Sequence, residues 1–197
     1  MFRMLCSARP LVLYGLLFNF GLANYIYADT PSTPTAIDPS KPKSWEGAID
    51  KLNDGVRVAT QSLSSVAKDK SRTDEERRQA ILLLGKVGSK ESLEFLVANV
   101  SIRIPVPIIL GDEDALRETP CLYALTVNHR GNWNAAKVVF DSLDSQKTKD
   151  DLMHLAVVLR RILGPNLSQR IVEDELTKGP KPERRKNLES IRESLKK

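Results

Sequence analysis

The sequence is poor in the residues that most often carry chemistry. Its 197 residues include two cysteines, two histidines and two tryptophans, and aromatics make up 6%. A thiol or imidazole site, or a zinc site, needs several such groups brought together. No glycine-rich phosphate loop and no metalloprotease motif is present. Charge of one sign is also scarce outside the end of the chain. The formal net charge is +5, but residues 178–197 hold eight basic residues against three acidic ones. The part between the leader and this tail is slightly acidic, which argues against a broad nucleic-acid surface.

Long apolar runs are confined to the beginning. Residues 1–28 have the layout of a secretory signal peptide: Arg3 and Arg9 first, then the apolar stretch Leu11–Leu22. Cleavage after Ala28 is favoured over cleavage after Ala23, because a polar linker starts at Asp29. The alternative is a retained membrane anchor over Leu11–Ala28, which is short for a span and interrupted by Asn19 and Asn24. Removal of the leader leaves Cys121 as the one cysteine, so no intramolecular disulfide forms. The expected location is therefore periplasmic or secreted. Residues 29–43, with four prolines, read as an extended linker.

Residues 44–197 read as one helical domain. From 44 to 70, Trp45, Ile49, Leu52, Val56, Ala59, Leu63 and Val66 recur at alternating steps of four and three. This is a heptad seam. The favoured reading is a long helix lying along the first helical pair. The alternative is a coiled-coil helix that makes a homodimer, which the lack of charge pairing beside the seam weakens.

Next comes a helical hairpin. Thr73 and Glu76 form a capping box, and Ala80, Leu83, Leu84 and Val87 fall on one face. Gly88 is placed to end the helix in the left-handed conformation. Ser89 caps a second helix with the face Leu93, Leu96, Val97 and Val100. Such a pair leaves apolar surface uncovered and calls for neighbours of the same kind.

Pro105 and Pro107 then exclude a regular helix. Ile102, Ile104, Val106, Ile108, Ile109 and Leu110 are too apolar for a free loop. This insert is expected to run extended along the helices. It is the candidate partner-binding surface, with packing onto the core as the alternative. The acidic turn Gly111–Asp114 lacks the spacing of a calcium loop.

Helix starts follow at Thr119-Pro120, at Asn132, at Thr148 with Asp151, at Pro165 and at Pro182. The expected inward faces are Leu122 or Tyr123 with Leu125 and Thr126; Trp133, Ala136, Val139, Phe140 and Leu143; Leu152, Leu155, Ala156, Leu159 and Leu163; Leu167, Ile171, Val172 and Leu176; and Leu188, Ile191 and Leu195.

The units start near Thr73, Thr119, Thr148 and Lys181, and the clearest is RRQAILLLGKVGSKESLEFLVANV, residues 77–100. This resembles a HEAT-like α-solenoid of the short-unit kind, over about Asp74–Leu176. The resemblance implies an all-α fold: a short right-handed solenoid of antiparallel helix pairs, here with a long N-terminal helix and a proline-containing extended insert. It implies a scaffold that binds another protein, and it brings no catalytic residues and no cofactor.

Cys121, His129 and His154 are the only groups for a hydrolase or metal alternative. Cys121 sits near a helix start, where a thiol is acidified, but a small core side chain is the simpler reading. The basic last helix suits closure of the repeat array, with weak contact to an anionic membrane surface as the alternative.

Overall fold

The computed structural model describes residues 42–106 and 116–196. The expected signal peptide, the linker up to residue 41, the insert positions Ile108, Ile109 and Leu110 and the turn Gly111–Asp114 lie outside the described residues. The chain divides into two units after Trp45, and the second, Glu46–Lys197, holds the hydrophobic core.

Among the described residues there are eight helices and no strand, so the fold is all-α. They are α1 (Pro42–Lys68), α2 (Asp74–Val87), α3 (Lys90–Ala98), α4 (Pro120–Asn128), α5 (Trp133–Ser142), α6 (Lys149–Leu163), α7 (Pro165–Thr177) and α8 (Pro182–Leu195).

Local chemistry sets most boundaries. The Glu76 amide donates to Thr73 Oγ1 at 3.2 Å and the Thr73 amide donates to Glu76 Oε2 at 2.9 Å. Thr148 and Asp151 repeat this reciprocal pair at the start of α6. Ser89 and Asn132 accept from the third residue of α3 and α5. Each cap satisfies a backbone donor that the helix cannot. Thr119 departs from the pattern. Its hydroxyl donates to the Leu116 carbonyl at 3.0 Å, so α4 starts on the fixed φ of Pro120. Gly88 ends α2 at φ 62°, as expected.

The helices pack on one another in pairs. α2 lies on α4, α4 on α6 and α6 on α8; beside them α3 lies on α5. Ile81, Leu84, Leu96, Leu125, Val139, Leu155, Leu159, Leu188 and Ile191 are fully buried between them. Each such aliphatic side chain contributes roughly 1.5–3 kcal/mol by leaving water.

After α1, three expected inward residues face out instead. Leu83 is exposed, and Ile81 takes its place in the core. The cause is Gly85, which α2 turns against α4, and Ile81 and Leu84 then line the same side. Trp133 and Leu167 are exposed as well. Both lie in a first helical turn, where side chains lean back past the helix start and beyond the core.

The last helix is clamped to the helices before it. Arg184 donates to the Phe140 carbonyl at 2.8 Å and pairs with Asp144 and Glu175 at 2.9 and 2.8 Å. Asn187, buried, donates to the carbonyls of Leu143 and Ser145.

α1 joins the domain only by its last third. Thr60 and Ala67 are buried, and Leu63 and Val66 pack against the core. Thr60 and Ser89 share a hydrogen bond, Arg77 donates to the Ala67 carbonyl at 3.3 Å, and Lys68 lies 5.3 Å over the Phe95 ring. The expected packing along the whole helix holds for this stretch alone.

Candidate functional site

The three side chains that carried the chemical alternative are all buried. Cys121 in α4 is fully enclosed, and burial pushes its thiol up to about 12. A thiol so high stays protonated and is a poor nucleophile. His129, just past α4, is buried and its titration is lowered by burial. Its Nδ1 faces the Asn132 amide at 3.3 Å. The Gly85 backbone favours the charged ring, and Nε2 has no hydrogen-bond partner among the described residues.

His154 belongs to a cluster the sequence does not announce. Ser101 Oγ donates to Asp151 Oδ1 at 2.6 Å and lies 3.1 Å from His154 Nδ1. A serine hydroxyl has one proton, and here it goes to the carboxylate. Toward the ring the same oxygen accepts, which assigns the proton to Nδ1. In a nucleophilic triad the histidine stands between acid and serine and takes the serine proton. Here the serine stands between the other two, so the cluster is a latch from the end of α3 to the start of α6. Burial alone would raise Asp151, but its bonds from Ser101 and Thr148 outweigh that and hold it low. Burial lowers His154, assisted by Arg103 and opposed by Asp150 and Asp151. Asp151 and His154, three apart on one helix, were readable together; Ser101, fifty residues away, was not. Among the described residues no group of three or more His, Cys, Asp or Glu side chains is placed to hold a metal ion.

The described part of the insert is held down. Ile104 is fully buried, Ile102 packs on the core edge and Val106 is half-buried. The Ile104 amide donates to the Glu118 carbonyl at 2.8 Å. Arg78 of α2 donates to the Pro105 carbonyl at 2.6 Å and pairs with Glu75 at 2.6 Å. The candidate residues therefore divide: Ile104 is a core residue, Ile102 and Val106 border the surface, and Ile108, Ile109 and Leu110 lie outside the described residues.

Among the described residues, α1 leaves two large apolar side chains of one seam exposed. Ile49 is 54% exposed and Leu52 68%, on the same seam whose later members, Leu63 and Val66, pack on the domain. Val56 is half-buried and Ala59 exposed. Asp50, Lys51, Asp54 and Arg57 are solvated on the other side. Exposed apolar residues standing singly are ordinary, but a row in helical register marks a contact surface. Further along α1, an open groove of about 550 Å³ lies between α1 and α3, lined by Thr60, Ser64, Lys68, Glu91 and Phe95. No described helix is long and apolar enough to cross a membrane.

No protein-family model, no curated protein and no solved structure matches the chain.

Proposed function

We propose that the protein is an exported, non-catalytic interaction or scaffolding module with HEAT-like architecture, and that it receives its partner on the apolar stripe of α1. The observation that carries this reading is the exposure of Ile49 and Leu52 on a helix whose seam continues, unbroken, into the core. Desolvating such a row favours association at about 25 cal/mol for each Å² removed from water.

The solenoid part of the reading is supported by the order of packing. Contacts from α2 to α4 to α6 to α8, and from α3 to α5, are those that stacked helix pairs make with their nearest neighbours. The clamps of Arg184 and Asn187 suit α8 as the closing element. A membrane-surface role for α8 has less support, since Leu188, Ile191 and Leu195 are already buried and leave no apolar face to insert. The insert is a second contact surface in this reading, through the residues that follow the anchor at Ile104.

The test is capture of a tagged mature chain from the extracytoplasmic fraction. The expected result is a co-purifying protein that is lost with Leu52→Lys while circular dichroism shows the fold intact. Equal recovery with the wild type and Leu52→Lys would remove α1 as the site.

A further inference from the structure

We propose that the occupant of the α1 stripe is a second copy of this chain, paired antiparallel about Ile49 and Leu52. This rests on the reading of α1 as a contact surface. Three observations choose the occupant and its direction.

The first is the period of the stripe. Ile49, Leu52, Val56, Ala59, Leu63 and Val66 repeat every 3.5 residues. On a straight helix such a row drifts by roughly 20° per heptad, and it stays in line only against another helix wound around it. The domain takes Leu63 and Val66 and leaves the preceding members open. Those open members include Ile49 at one seam position and Leu52 at the other, apolar knobs of the kind that a facing helix takes into its holes.

The second is the flank of the seam. Ala48, Asn53 and Gly55 stand beside it without charge, and Glu46, one heptad before Asn53, is the one charged flanking residue, its two copies lying roughly 13 Å apart along the axis of the antiparallel pair. An added Cβ at Gly55 meets nothing within 4 Å, so the backbone there is open to close approach. A second copy therefore meets no like charge beside the seam. Asp50, Lys51, Asp54 and Arg57 all point away into solvent.

The third observation sets the direction. The domain sits on the seam from Thr60 to Ala67. In a parallel pair, the second copy would bring its own residues 60–67, with its own domain, to the place the first domain fills. An antiparallel pair puts the two domains at opposite ends. The layer rule of alternating seam positions then sets Ile49 of one copy opposite Leu52 of the other, each twice, about a twofold axis. About that axis Glu46 lies opposite Gly55, an overlap about 15 Å long at 1.5 Å per residue. It falls short of the surface that tight complexes bury, so the dimer is weak and concentration-dependent.

The experiment is a cysteine scan along α1 in the purified full chain carrying Cys6→Ser, with a short bismaleimide as the probe. Cys121 is buried and does not compete. Ile49→Cys and Leu52→Cys lie next to the twofold axis and are expected to give linked dimers. Ala59→Cys is expected to give none, because its two copies would lie roughly 25 Å apart along the axis. Linkage of Ala59→Cys as strong as that of Leu52→Cys would show parallel pairing and overturn the proposal. Absence of linkage at all three positions would also overturn it. In that case, a different protein still captured in a Leu52-dependent manner would leave the contact-surface reading standing, and loss of both would remove both.

Discussion

Gly85 of α2 lies so close to α4 that a Cβ built on it would stand 2.8 Å from the Cβ of Ala124. The Asn128 side chain is equally near, at 2.8 Å. This pair of small residues lets α2 and α4 approach each other closely. Glycine costs a helix roughly 1 kcal/mol relative to alanine, and here the close approach offsets that cost. Gly85→Ala should therefore destabilise the protein, by about 1–3 kcal/mol from overpacking. Urea unfolding measures it. A neutral or stabilising effect would show that α2 and α4 are not in the contact described.

Gly47 gives the opposite case. An added Cβ there meets nothing within 4 Å. Gly47→Ala should raise helicity by circular dichroism and leave the urea midpoint nearly unchanged, since this part of α1 stands off the core. A large loss of stability would mean that the start of α1 is packed.

Arg78 holds the insert to α2 through the Pro105 carbonyl and, at 3.4 Å, the Ile104 carbonyl. Its side chain is only 12% exposed. Arg78→Met should cost about 1–3 kcal/mol, as expected for loss of a part-buried charged donor. It should also speed hydrogen exchange at the Ile104 amide, which bonds Glu118. Unchanged exchange at Ile104 would mean that its own burial fixes the segment without the arginine.

The buried histidines set a pH dependence whose sign is fixed. Burial favours the neutral rings of His129 and His154, so both titrate below their ordinary value in the folded chain. The unfolded chain takes up these protons near about pH 6.5. The folded state then binds fewer protons than the unfolded one. Their contribution is complete above that pH and is lost as pH falls toward the lower folded values. The urea midpoint should fall between about pH 7.5 and pH 5.5, and less steeply in His129→Gln. A midpoint that is flat over this range would contradict the burial of the rings.

Cys121 should be silent to thiol reagents in the folded protein and react only on unfolding, as its enclosure and raised titration require. Reaction with a disulfide reagent, compared with and without urea, checks this. Rapid labelling without urea would open α4 to solvent.

Much of the local architecture was legible because it is written in adjacent residues. The Thr73–Glu76 and Thr148–Asp151 boxes, the Ser89 and Asn132 caps and the starts at Pro120, Pro165 and Pro182 all depend on spacings of a few positions. Which face of a helix turns inward was harder. Leu83 and Ile81 are both apolar, and only the approach of Gly85 to Ala124 decides between them. Long-range polar contacts left no trace in the pattern: neither Ser101 with Asp151 and His154, nor Arg184 with Phe140, is visible from either partner alone. The seam of α1 was plain, yet its spacing does not reveal where the domain stops covering it.

The central claim is that the open half of that seam is covered by another chain. Sedimentation velocity on the purified protein, from low micromolar to near-millimolar concentration, tests it most directly beside Leu52→Lys. The account predicts a weight-average sedimentation coefficient that climbs from monomer toward dimer for the wild type and stays at monomer for Leu52→Lys. A wild-type protein that remains monomeric across the whole range, or a Leu52→Lys variant that associates equally well, would contradict it.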